Sequence, residues 1–141
     1  MICRSFLFTG TLFALSALSS AGTILRTIDP ALSPDGKAIA FSWQGDIWTV
    51  EAEGGMATRL TVHPAEDTVP KWSPDGSRLF FVSTRAGSLD VYSMTSSGGD
   101  LRRITFESGS EYPTSVSPDG KYLFGYTNNF GRMDIFCVRS T

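Results

Sequence analysis

The tetrapeptide Ser-Pro-Asp-Gly occurs three times in this chain, at residues 33–36, 73–76 and 117–120. Successive copies are separated by 40 and then 44 residues. A proline precedes each copy: Pro30, Pro70 and Pro113. An apolar run follows each copy, and then an Asp, an aliphatic residue and an aromatic. These triplets are Asp46-Ile47-Trp48, Asp90-Val91-Tyr92 and Asp134-Ile135-Phe136. The first two copies continue to a glycine pair, Gly54-Gly55 and Gly98-Gly99, and then to Arg59-Leu60-Thr61 and Arg103-Ile104-Thr105. A period of this length marks a chain assembled from repeated supersecondary units.

One unit reads as four strands. In the first, the expected strands are residues 29–32, 37–43, 46–52 and 57–61. Ser-Pro-Asp-Gly joins the first two as a tight turn. Proline presets φ, Asp bonds nearby backbone, and Gly accepts φ > 0. Gln44-Gly45 is short enough to close a hairpin between the second and third strands. The second unit repeats the plan with strands at 78–83, 90–94 and 101–105. Its middle hairpin loop, around residues 85–88, is longer by four. The third unit has strands at 121–126 and 134–138, with a loop of matching length at 128–132. Leu79-Phe80-Phe81-Val82 and Tyr122-Leu123-Phe124 are unbroken apolar runs. A sheet with one wet face alternates more cleanly, so both faces of these sheets need cover. Four-stranded units of ~40 residues that cover one another are propeller blades. The expected fold is therefore all-β: a partial β-propeller of about three four-stranded antiparallel blades, the last incomplete. The repeats run roughly over 28–62, 68–106 and 111–141.

The first 21 residues differ from the rest. Arg4 lies in a short leading segment, residues 6–18 are apolar or small, and Ser19-Ser20-Ala21 follows. This is the layout of a secretory signal peptide cut after Ala21, leaving 22–141 as the propeller segment. The apolar run is shorter than the ~20 residues of a membrane-spanning helix. Export to the periplasm or the extracellular space is the expectation, with no membrane span after cleavage. Cys3 lies too early to be a lipidation site. Cys137 remains alone, and is expected to be a small apolar side chain on a strand.

The net charge of −2 and the scattered basic residues argue against nucleic acid as a partner. No catalytic, cofactor-binding or metal-binding residues are expected. His63 is the only histidine; it falls in a linker and reads as a loop residue. No Gly-x-Ser-x-Gly elbow occurs. One His and one Cys after cleavage do not make a zinc site. Asp46, Asp90 and Asp134 could face a shared channel, but read better as bonding backbone N–H groups at strand starts. Asp35, Asp75 and Asp119 read as turn residues. The glycine pairs are hairpin turns, unlike the spaced glycines of a nucleotide site. Trp43, Trp48, Trp72, Tyr92 and Phe136 occupy strand positions and read as core.

The sequence resembles the WD-like repeats of TolB and tricorn-protease propellers, whose blades carry a Trp-Ser-Pro-Asp-Gly turn. Residues 72–76 match that form in full, while Leu32 and Val116 replace the Trp in the other copies. Residues 39–48, 57–65 and 111–120 are closer still to the N-terminal propeller of secreted tricorn-like peptidases of the tail-specific serine type. That resemblance implies a longer protein with a PDZ-like module and a separate catalytic domain. It implies a non-catalytic propeller segment that binds peptide or protein, without a cofactor. Two other readings are a TolB-like interaction propeller and the propeller cap of a prolyl-oligopeptidase-like enzyme. The chain stops inside the third unit, so a truncated product without independent function is a further expectation. Its open blade edges would favour self-association.

Overall fold

The computed structural model describes residues 29–140. Segment 1–21, expected to be a signal peptide, lies outside the described residues, as does the start of the first repeat. Eleven strands form three antiparallel sheets. The first sheet holds β1 (Ala31–Leu32), β2 (Ala38–Trp43), β3 (Asp46–Glu51) and β4 (Thr58–Arg59) in that order. The second holds β5 (Asp67–Trp72), β6 (Arg78–Ser83), β7 (Asp90–Thr95) and β8 (Arg102–Arg103). The third has three strands, β9 (Glu111–Val116), β10 (Tyr122–Thr127) and β11 (Asp134–Arg139). This is the expected partial propeller. The outer strands β4 and β8 are shorter than the sequence suggested, and a single 3₁₀ turn (Asn129–Gly131) interrupts the last hairpin loop.

Each Ser-Pro-Asp-Gly turn closes by the same bonds. The Gly N–H donates to the Ser carbonyl at 2.8–2.9 Å in all three copies. The Ser hydroxyl donates to the Asp carboxylate two residues on. It also accepts the N–H that opens the next strand, from Ala38, Arg78 and Tyr122. The glycines have φ of 73°, 72° and 73°, a region that a Cβ disfavours. Gln44 (φ 52°) and Gly45 (φ 82°) form the mirror-image turn that suits a two-residue hairpin.

The core lies between sheets. Ala40 and Ile47 of the first sheet pack with Leu79, Phe81, Tyr92 and Met94 of the second. Phe80 and Val91, on the opposite face of the second sheet, pack with Leu123, Val116, Phe136 and Val138 of the third. Neighbouring residues of one strand therefore serve two different interfaces, which explains the unbroken apolar run in β6. Full burial of a large apolar side chain contributes about 1.5–3 kcal/mol, so these interfaces outweigh any single turn. Trp72 adds a polar link, its Nε1–H donating to the Ala31 carbonyl at 2.8 Å across the first interface.

The first strands of successive sheets lie against one another. Both β5 and β9 carry a bulge. In β5 the extra residue falls at Val69-Pro70, opposite Phe81. Val69 has φ 55°, a costly conformation for a β-branched residue. In β9 the extra residue is Thr114, where the sequence has one more residue between Pro113 and Ser117 than between Pro70 and Ser73. Pro70 and Pro113 sit on strands with only one ladder partner, the position in a sheet that tolerates a missing N–H.

Candidate functional site

The polar side chains gather at the two ends of the sheets. One end carries the β2–β3, β6–β7 and β10–β11 loops and the links between sheets. There, Asp46 and Asp90 are buried at the starts of β3 and β7. They were expected to accept backbone N–H groups at those starts, but the structure assigns that task elsewhere. The N–H of Ile47 donates to Thr61 Oγ1 and that of Val91 to Thr105 Oγ1, both at 2.9 Å. The carboxylates instead receive arginine. Arg59 donates to Asp46, and Arg103 donates to Asp90 at 2.9 Å. Each guanidinium also holds the carbonyl of the Thr two residues on. Arg-x-Thr is thus a clasp that fastens the fourth strand to the start of the third. Asp134, the third member of the series, is exposed and faces only Arg132, at 3.6 Å. The three aspartates do not meet around a common cation.

A second set of buried charges escaped the sequence reading. Asp67 is fully buried at the start of β5 and takes a two-pronged contact from Arg85 of the β6–β7 loop. The Arg85 guanidinium also lies over the Phe81 and Tyr92 rings, at 5.7 Å from each centroid. Glu111 is buried at the start of β9 and accepts the hydroxyls of Thr105 and Thr127. Burial pushes its carboxyl above the ordinary glutamate range, and the nearby Asp90 charge adds to this. The signal was present: Asp67 and Glu111 each stand six residues before the Ser of a Ser-Pro-Asp-Gly turn. These starts also tie sheet to sheet. Asp67 N–H donates to the Gly45 carbonyl, and Glu111 N–H to that of Leu89.

The opposite end carries the Ser-Pro-Asp-Gly and glycine-pair turns. Hydrogen bonds from Ser73 and Ser77 pull the Asp75 carboxyl down to about 2. Asp35 and Asp119 are lowered by the same serine-first pattern. All three are turn residues bonding their own backbone, as expected. Between the first two sheets the turns border an open groove of about 690 Å³. Asp35, Glu51 and Asp75 line it with Lys37 and Trp72. A smaller groove of about 220 Å³ lies between the second and third sheets, bordered by the next pair of turns.

His63 is exposed, and its Nδ1 accepts the Ala65 N–H at 3.0 Å, a bond internal to the loop. Trp43 and Trp48 meet edge to face at 5.2 Å, and Tyr92 stacks on Phe81. Trp72 and Phe136 pack against the two inter-sheet clusters. Cys137 lies on a strand, β11, as expected, and is exposed there. Its face of the third sheet has no neighbour among the described residues. Among those residues no cluster of three or more His, Cys, Asp or Glu could hold a metal ion. Nor is any helix there long and apolar enough to cross a membrane.

Repeated clasps, repeated turns and inter-sheet packing set the terms for comparison with known proteins. Residues 27–138 match the family described as the tricorn protease N-terminal beta propeller domain. The chain belongs to that family. Tricorn protease homolog 1 of Streptomyces coelicolor is 34% identical over 55 residues, 39% of this chain and 5% of that protein. The TolB homolog of Chlorobium luteolum is 34% identical over 77 residues, 52% of this chain and 17% of that protein. The chain thus spans only a small part of these relatives. The crystal structure of TolB from Acinetobacter baumannii superposes with a TM-score of 0.69 at 26% identity, covering 80% of this chain and 29% of that one.

Proposed function

We propose that this chain acts as the non-catalytic, peptide- or protein-binding propeller portion of an exported tricorn-like peptidase. One observation carries the reading. The polar residues that could have formed a reactive site are engaged in bonds that recur from sheet to sheet. Asp46, Asp90 and Asp67 hold arginines, Thr61 and Thr105 cap strand starts, and the turn serines hold the turn aspartates. Such bonds build blades, and recognition is left to surfaces. The groove bordered by two Ser-Pro-Asp-Gly turns has the volume of a typical ligand site. Its three carboxylates against one lysine suit a peptide of net positive charge. Purified chain mixed with labelled basic and acidic peptides should leave both uncleaved and bind the basic one in a saturable way. Hydrolysis that disappears with His63→Ala would overturn the reading.

A TolB-like interaction propeller is the second reading, favoured by the longer matched stretch in the TolB homolog. The coding sequence beyond Thr141 separates the two. A serine-peptidase region supports the first, and a propeller that completes the gene supports the second.

A further inference from the structure

The two grooves at the turn end are one site repeated. Each lies between two successive Ser-Pro-Asp-Gly turns, and Ser140 borders the second groove at the repeat position from which Ser96 borders the first. Their volumes are nevertheless far apart, about 690 Å³ and about 220 Å³. One repeat position explains the gap. The second residue after the turn is Ala38 in the first sheet and Arg78 in the second. Arg78 lines the second groove, with its side chain only 15% exposed. Its guanidinium donates to Ser93 Oγ at 2.9 Å, and to the Asp100 carboxylate and carbonyl at 2.8 and 3.0 Å. Ala38 leaves the corresponding space of the first groove open.

Partners for a guanidinium remain in that open space. Thr49 stands opposite Ala40 as Ser93 stands opposite Phe80, so a hydroxyl occupies the same place in both sheets. Glu51 stands directly opposite Ala38, where the second sheet has Thr95 opposite Arg78. A carboxylate on the groove wall thus replaces Asp100, whose own repeat position in the first sheet is Met56. Trp72 lines the groove from the second sheet, at the position that Val116 holds in the third. Asp35 and Asp75 stand at the two turns, and Lys37 offsets one of the three carboxylates. We propose that the first groove binds an arginine side chain of a peptide, seated between the first and second sheets as Arg78 is seated between the second and third. This rests on the peptide-binding reading above and narrows it from net charge to one side chain. A planar guanidinium offers separate donors to the Thr49 hydroxyl and the Glu51 carboxylate, and a flat face to the Trp72 indole. An ammonium is a compact point charge without that face. Every residue lining the groove comes from these two sheets and their turns, so the seat needs no further segment to form.

Fluorescence anisotropy on the full chain, purified as its host processes it, tests this with three labelled Gly-Ser peptides whose central residue is arginine, lysine or citrulline. The arginine peptide should saturate, the lysine peptide should bind about tenfold more weakly, and the uncharged citrulline peptide should not bind. Ala38→Arg should seat the chain's own guanidinium in the groove, abolish binding and leave the thermal unfolding midpoint unchanged or higher. Glu51→Gln, at an exposed position, should weaken the arginine peptide about tenfold, and it decides the matter alone if Ala38→Arg does not fold. Equal affinity for arginine and lysine overturns the arginine seat and leaves the basic-peptide reading standing. Arginine binding that survives both substitutions places the peptide elsewhere and overturns the seat as well. If none of the three peptides binds while the basic peptide of the preceding test does, the seat alone falls; if that peptide fails too, the peptide-binding reading falls with it.

Discussion

The second and third sheets are built from the same repeat, yet they are held by different means. In the second sheet, Phe81 stacks on Tyr92, Arg103 clasps Asp90, and Arg85 neutralises Asp67. In the third sheet, Gly125 replaces Phe81 and the Phe136 ring fills its place. Asp134 is in water, and the buried Glu111 receives hydroxyls where Asp67 receives a guanidinium. The difference shows what each device does. Turns and hairpins persist in both sheets because they are local. Stacked rings occur in both sheets, Phe81 on Tyr92 and Tyr112 on Tyr126, while the clasp appears where a fourth strand brings its arginine to the Asp that opens the third.

Truncating one repeat position in both sheets should give the widest contrast. Phe80→Ala should cost about 3–5 kcal/mol in urea denaturation, the range for emptying a packed aromatic site. Phe124→Ala, at the same position on a face with no neighbour among the described residues, should cost about 1 kcal/mol. Equal losses would mean that the third sheet is covered in solution. The clasp offers the next largest contrast. Arg103→Ala leaves the Asp90 carboxylate buried without its main partner and should cost about 3 kcal/mol. Arg132→Ala removes an exposed contact to Asp134 and should change stability by less than about 0.5 kcal/mol.

What the sequence disclosed, and what it did not, follows the same division. Ser-Pro-Asp-Gly announced its own conformation because every bond in the turn is made within five residues. The unbroken apolar run of β6 announced two buried faces. The clasp was half visible. Arg-x-Thr recurred in the sequence, but its link to the Asp at the start of the third strand spans 13 to 15 residues and the glycine-pair turn. Asp67 and Glu111 shared an offset from the turn, but nothing local named their partners. Arg85 reaches Asp67 from 18 residues away and from a different hairpin. The exposure of Cys137 was not legible at all. It depends on which sheet lies next, and the pattern of β11 alone is that of a covered strand.

Gly125 sharpens the comparison by exchange. A Cβ there would run into the Tyr112 carbonyl oxygen and the Phe136 ring. Gly125→Ala should therefore destabilise by about 1–3 kcal/mol, the usual cost of overpacking. Pairing it with Phe136→Leu, which removes the crowding ring, should recover part of the loss in thermal unfolding. If Gly125→Ala proves neutral, the third sheet is loosely packed and its backbone yields. The substitution for glycine would then be a drift in sequence with no bearing on how the two sheets differ.

The last contrast concerns the two carboxylates that open the first strands, and for Glu111 it appears only when pH is varied. Glu111 has its carboxyl raised in the folded chain, mainly by burial. The native state then holds this proton more tightly than the unfolded state does. Stability from Glu111 is present below the ordinary glutamate range, and it is lost as pH rises through the raised folded value. Glu111→Gln removes that dependence. Compared with the native chain, the variant should gain in urea midpoint between about pH 4.5 and about pH 7. Asp67 occupies the same place in the second sheet but faces Arg85. Asp67→Asn should lose stability at about pH 7, because it leaves the guanidinium half-buried without its counter-charge. Asp75 gives a control of opposite sign. Its carboxyl is lowered to about 2, so its contribution is complete at neutral pH and fades as pH falls below the ordinary aspartate range toward that value. A gain for Asp67→Asn equal to that for Glu111→Gln would mean that Arg85 does no more for its carboxylate than two threonine hydroxyls do, and the two sheets would then differ in packing alone.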